Sequence, residues 1–215
     1  MEQHDSFQLA KYSALTWNAP LSEHHASSLL KHLDLANATR IVDLGCGWGE
    51  LLLRAAFEAG PSSQAIGVDT DPVVLARENA TPKTAGWGAS SDTRAMLEHL
   101  ATVVPKGKVL IGDTCWERSP TEAAVAIFGE EIPRLSDVVV FSRQAGWKVM
   151  HVSTADTREW DDFESGHRAG PRGWLLENQG DPRAPDIEAE QNRREDEYQT
   201  VYRGVLSFAY LVLAR

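Results

Sequence analysis

Residues 41–49 read Ile-Val-Asp-Leu-Gly-Cys-Gly-Trp-Gly, an apolar run ending in three glycines at alternate positions, with Asp43 two residues before the first. Glycines so placed let a chain turn through left-handed dihedrals or let a ligand approach the backbone closely. A phosphate loop would follow them with Lys and Ser or Thr, but Glu50-Leu51-Leu52 stand there. A dinucleotide fingerprint spaces its glycines G-x-G-x-x-G; here the third comes one place early, and Glu50 would oppose a pyrophosphate at the helix start. A ligand without phosphate fits this spacing better, and a turn that merely brings strand and helix together is the plain alternative.

The flanking sequence makes the stretch a strand–turn–helix unit. Residues 40–44 predict a short strand, and Glu50–Ala59 predicts a helix ended by Gly60-Pro61. Gln64–Val68 predicts a second strand, and Asp71-Pro72 opens a further helix reaching about Asn79. Helices are expected over 93–103, 122–128, 136–145, 158–178 and 186–202, and strands over 108–113, 147–153 and 205–213. The alternation predicts an α/β fold with a parallel sheet and helices on both faces. Residues 7–16 and 21–33 predict two helices before the first strand, with Ser22 a natural N-cap.

The pattern Asp43-x-Gly45-x-Gly47-x-Gly49 resembles the first motif of the Rossmann-like (class I) S-adenosylmethionine-dependent methyltransferases. The resemblance implies a loop of Gly45, Cys46, Gly47 and Gly49 beneath the amino-acid end of the cofactor, with Asp43 near its cationic groups. Asp69 follows Gly49 by 20 residues and ends the second strand, where a carboxylate can accept both hydroxyls of a ribose; Thr70 adjoins it. NAD sites use the same carboxylate, so glycine spacing separates the two cofactors. Looser matches at 12–22, 160–168 and 210–215 resemble bacterial small-molecule members of the family. They imply an antiparallel last strand, a helical lid over 1–35, and a domain over 36–215 with a helical insertion at about 156–203.

One interval departs from the family pattern. Only 38 residues lie between Asp69 and Lys108, where roughly 60 would be usual for two helices and two strands. The spacing predicts that a segment near 80–88 is missing, and with it the third strand, its acidic residue and much of the fourth strand. Gly88, Ala89 and Ser90 are then the surviving end of the fourth strand and part of the cofactor site.

Methyl transfer from a sulfonium needs alignment and exclusion of water, and a base only where the nucleophile is protonated. The candidate catalytic groups are Asp113 and Glu117 around the end of a strand, and His167 as base. Asp161, Glu164 and Cys115 lie in the same regions. Tyr12, Trp17, Trp116 and Trp160 are the candidate acceptor-binding residues, with Trp174 a further aromatic candidate. The neighbouring His24 and His25 have no metal-ligand spacing, and no metal is expected.

A formal charge of −10 disfavours nucleic acid and anionic membranes. Two cysteines without a framework, and a start lacking a secretory pattern, lead us to expect a cytoplasmic enzyme acting on a small molecule. The alternatives are a non-catalytic cofactor-binding or scaffold protein of methyltransferase descent and, less favoured, an NAD(P)-dependent oxidoreductase.

Overall fold

The computed structural model describes residues 6–71, 74–75 and 92–215. The expected helix at 71–79 lies mostly outside these residues, and the predicted gap near 80–88, with Gly88, Ala89 and Ser90, lies wholly outside them.

The parallel unit forms as expected. Strand β1 (Arg40–Leu44) pairs in parallel with β2 (Gln64–Val68), and α3 (Glu50–Ala59) connects them. Leu51, Ala55 and Ala59 bring α3 onto Ile41 and onto Leu30 and Leu35 of the preceding segment, so one helix stripe meets one strand face. Ahead of it run α1 (Ser6–Ala10) and α2 (Glu23–Lys31). Both are shorter than predicted. The Ser22 side chain accepts the His25 N–H and caps α2, while residues 11–22 form turns and irregular chain.

The second half is antiparallel. Strands β3 (Lys108–Trp116), β4 (Lys148–Thr154) and β5 (Leu206–Ala214) pair in the order β3-β5-β4, with β5 antiparallel to both neighbours. Strand β5 runs nearly all buried because both its edges and both its faces are covered, so a continuous apolar run suits it. Helices α4 (Thr93–Val103) and α6 (Leu135–Gln144) pack with Leu97 and Val138 against Ile111, Leu211 and Leu213. The other face carries α5 (Glu122–Phe128) and Tyr202.

Between β4 and β5 stand α7 (Thr157–Glu177), α8 (Ala184–Glu197) and a single π turn (Tyr198–Tyr202), the helical stretch expected near 156–203. Asp156 and Glu159 form a reciprocal capping box at the start of α7. At its other end α7 approaches α1 so closely that a Cβ at Gly170 would collide with the Ala10 carbonyl oxygen.

The single sheet expected from sequence is, among the described residues, two sheets: the pair β1-β2 and the triplet β3-β5-β4. No strand among the described residues joins them. Val42 and Leu44 on β1 are 52% and 48% exposed.

Candidate functional site

The glycine loop leaves β1 and enters α3 through three left-handed residues, Gly45 (φ 78°), Gly47 (φ 57°) and Gly49 (φ 85°). Side chains there would be strained whatever the space available. Among the described residues nothing lies within 4 Å of where a Cβ would sit at Gly45 or Gly49, so those residues leave the loop open at these points. Gly67 of β2 serves a different end: a Cβ there would meet Cys46 Sγ and Leu52 at 2.9 Å, so its absence lets the loop seat against the strand.

Asp69 holds the loop from the neighbouring strand. Its Oδ2 accepts the Gly47 N–H at 2.7 Å and its Oδ1 accepts the Asp71 N–H at 2.9 Å. A carboxylate has about four lone-pair sites, so both oxygens keep capacity for ligand hydroxyls. Asp43 lies near it, and burial, followed by the charge of Asp69, pushes the Asp43 carboxyl up to about 6. The same causes, burial first and then Asp43 and Asp69, push the Cys46 thiol up to about 11, so it is no nucleophile at neutral pH. This end of the site concentrates negative charge and invites a cation. Arg54, the only basic residue of α3, is already bound to Glu23 and Glu50 and lies over the Trp17 ring.

The segment before α2 crosses this loop. Trp48 Nε1 donates to the Thr16 carbonyl at 2.9 Å, and Asn18 Cβ lies 3.6 Å from the Cβ position of Gly47. From Trp48 a line of ring contacts runs through Tyr12, His167, Phe163, Trp160, Tyr202 and Phe128 to Trp116, each step at 4.6–6.4 Å between centroids. Beside Trp160 a cavity of about 200 Å³ is lined by Glu117, Thr154–Thr157, Trp160, Gly204 and Leu206.

No family model matches the sequence. The uncharacterized protein YjhP of Escherichia coli is 26% identical over 227 aligned residues, which take in 90% of this chain and 92% of YjhP. That alignment exceeds the 215 residues of the chain itself, so YjhP has residues at positions this chain lacks. A methyltransferase from Thiobacillus denitrificans, solved in complex with S-adenosyl-L-homocysteine, superimposes with a TM-score of 0.80 at 22% identity, each chain covered in full. The fold is that of the class I methyltransferases. A second methyltransferase of this fold, from Geobacter sulfurreducens and also in complex with S-adenosyl-L-homocysteine, gives 0.79 at 22% identity over both full chains. The crystal structure of YjhP gives 0.78 at 23%, covering 98% of this chain and 99% of YjhP.

Within this methyltransferase fold the sequence-predicted residues divide. Asp43, Gly45, Cys46, Gly47, Gly49 and Asp69 converge at the loop, with exposed Thr70 beside them. Tyr12 and Trp160 join the aromatic line, and exposed Glu117 lines the cavity. Trp17, Trp116 and Trp160 all belong to the core that contains Leu29, Tyr198 and Tyr210, and of the three Trp160 also lines the cavity. Trp174 stands apart, donating to Ser6 Oγ. Asp113 is engaged locally: Oδ2 accepts from Thr93 Oγ1 at 2.7 Å and Oδ1 from the Thr114 N–H at 2.8 Å.

The surroundings of His167 weaken it as a base. Burial, then the charges of Arg194, Lys11 and Arg168, push its imidazole down to about 3, so it is neutral at physiological pH and a poor proton store. Glu164 is bound in bidentate fashion by Arg194, and Asp161 by Arg203 and Tyr198, which remove both from the candidate acids. Cys115 is fully buried. Sequence reasoning missed Gly67, Trp48 and Asn18. Only Trp48, lying inside the glycine motif, carried a signal that could have found it.

Proposed function

We propose that the chain binds S-adenosylmethionine at the glycine loop and transfers its methyl group to a small-molecule acceptor. The observation that carries this reading is the left-handed loop Gly45–Gly49 pinned by Asp69 at the end of the adjoining strand. The donor set fits the cofactor. Asp69 offers acceptors for ribose hydroxyls, Asp43 offers negative charge to an ammonium or sulfonium, and Gly45 and Gly49 leave room for a ligand. Glu50 at the start of α3 disfavours a dinucleotide phosphate there.

When bound, the cofactor supplies an electrophilic methyl group for in-line displacement. The chain's own residues orient, cover and exclude water. The aromatic line from Trp48 through Tyr12, His167 and Phe163 to Trp160 supplies apolar walls and π faces for a cation. Neutral His167 acts there as a packing group between Tyr12 and Phe163. Exposed Glu117 is the better-placed carboxylate if the acceptor must lose a proton. The segment before β1 is the lid, and α7 and α8 form the acceptor side.

Calorimetric titration with S-adenosylhomocysteine, with NAD as control, tests the cofactor. Micromolar binding of the first alone supports the reading, and tight binding of NAD alone overturns it. A second reading, a non-catalytic cofactor-binding protein, is favoured by the uncovered β1 face at Val42 and Leu44. Methyl transfer to any member of a small-molecule panel by a cofactor-binding sample excludes it.

A further inference from the structure

One buried carboxylate belongs neither to the glycine loop nor to the acceptor candidates. Glu159, 7% exposed, sits in the first turn of α7. Its Oε1 accepts the Ser22 N–H at 2.8 Å, its Oε2 accepts the Asp156 N–H at 3.0 Å, and both oxygens lie 3.1 Å from Nδ1 of His25. The other ring nitrogen of His25 lies 2.7 Å from Ser153 Oγ at the end of β4, and the ring meets Tyr210 edge-on. Tyr210 itself donates to the Pro20 carbonyl at 3.1 Å.

Capping α7 accounts for only one of these bonds. The rest fasten the chain around residues 20–25, which leads directly into the strap touching the glycine loop through Thr16 and Asn18. The same α7 carries Trp160 next to Glu159, and Phe163 and His167 about one and two turns further on. We infer that Glu159 is a positioning residue: together with His25 it locks the strap over the glycine loop to the helix bearing the acceptor-side aromatics. This assignment builds on the proposed cofactor and acceptor sites, although the latch itself stands on the hydrogen bonds alone.

Glu159→Gln keeps shape and volume but leaves one acceptor oxygen and places an NH2 group among three donors. Arg203→Ala is the control. It breaks the Asp161–Arg203 pair on the same helix turn without touching the strap. Hydrogen exchange of the ligand-free protein is read over residues 12–22, alongside the dissociation rate of S-adenosylhomocysteine. In Glu159→Gln, strap exchange and ligand dissociation should each rise on the order of tenfold, and His25→Ala should match it. Arg203→Ala should leave both within about twofold. Unchanged strap exchange in Glu159→Gln overturns the latch whatever the ligand does, and so does an equal rise in Arg203→Ala, which would mark a merely structural role. Failure of the wild type to bind S-adenosylhomocysteine would overturn the cofactor reading, while the exchange arm still decides the latch.

Discussion

The two sheets are built to different standards. In β5, Ala209, Leu211, Val212 and Leu213 have no exposed surface, and each edge of the strand carries a paired neighbour. In the β1-β2 unit, β1 leaves Val42 and Leu44 about half exposed, and the attached α3 leaves Phe57 89% exposed. The apolar core is concentrated in the antiparallel half, whereas the glycine loop and its two carboxylates belong to the thinly covered one. A site that must open to a ligand is well placed in the part with less apolar burial, but half-exposed Val42 and Leu44 are also what a parallel strand shows when the elements that should flank it are few.

Substitutions can break this comparison. Leu211→Ala in the covered half should cost roughly 2–5 kcal/mol, read from denaturant unfolding, because a buried side chain is replaced by a cavity. A loss under about 1 kcal/mol would mean that β5 is not the main core.

Asp43→Asn should have the next largest effect, and the effect depends on pH. The Asp43 carboxyl is raised from 3.8 to about 6 in the folded protein, so its favourable contribution is complete below about pH 4 and is lost as pH rises through 6. Above pH 7 the charged group therefore costs on the order of 2–3 kcal/mol, and Asp43→Asn should be more stable than wild type by about that much while matching it near pH 4. Equal melting temperatures at pH 7.5 would show that Asp43 is well solvated. The substitution should also weaken cofactor binding.

Asp69→Ala should weaken S-adenosylhomocysteine binding by on the order of tenfold to a hundredfold, about 1.4–2.8 kcal/mol, through lost hydroxyl acceptors and a loosened Gly47 amide. Unchanged affinity by calorimetry would remove Asp69 from the site. The smallest effect belongs to the open face: Val42→Thr, at a half-exposed strand position, should change stability by less than about 0.5 kcal/mol. A loss above about 1.5 kcal/mol would show that something covers β1 in solution, and intact mass against 23.7 kDa would then tell whether a longer chain supplies it.

The strand–loop–helix unit was legible because its signals are local. Alternate glycines fix positive φ at fixed positions, the run Ile41-Val42-Asp43-Leu44 before them reads as a strand, and Gly60-Pro61 stops the helix. The same holds for most helices and strands of the second half, whose limits shift by three residues or fewer. Residues 11–16 were misread as helix because their apolar groups carry a helical spacing but instead serve long-range contacts, Leu15 in the core and Thr16 to Trp48. The environment of His167 was illegible for a related reason. Its distance from Glu164 along the helix is local, but the burial that chiefly lowers its basicity, and the charges of Arg194 and Lys11 that add to it, depend on the folded chain.

By itself, then, the sequence determined the α/β class, the glycine cradle, the carboxylate at the end of the second strand and the helical stretch before the last strand, because each depends on dihedral preference or short-range periodicity. Only the tertiary structure decided that the described strands form two sheets, that Trp17, Trp116 and Trp160 share one core, and that Glu159 binds a segment 137 residues away. Those outcomes depend on which surfaces meet after the chain has folded back, where desolvation and charges distant in sequence set the balance.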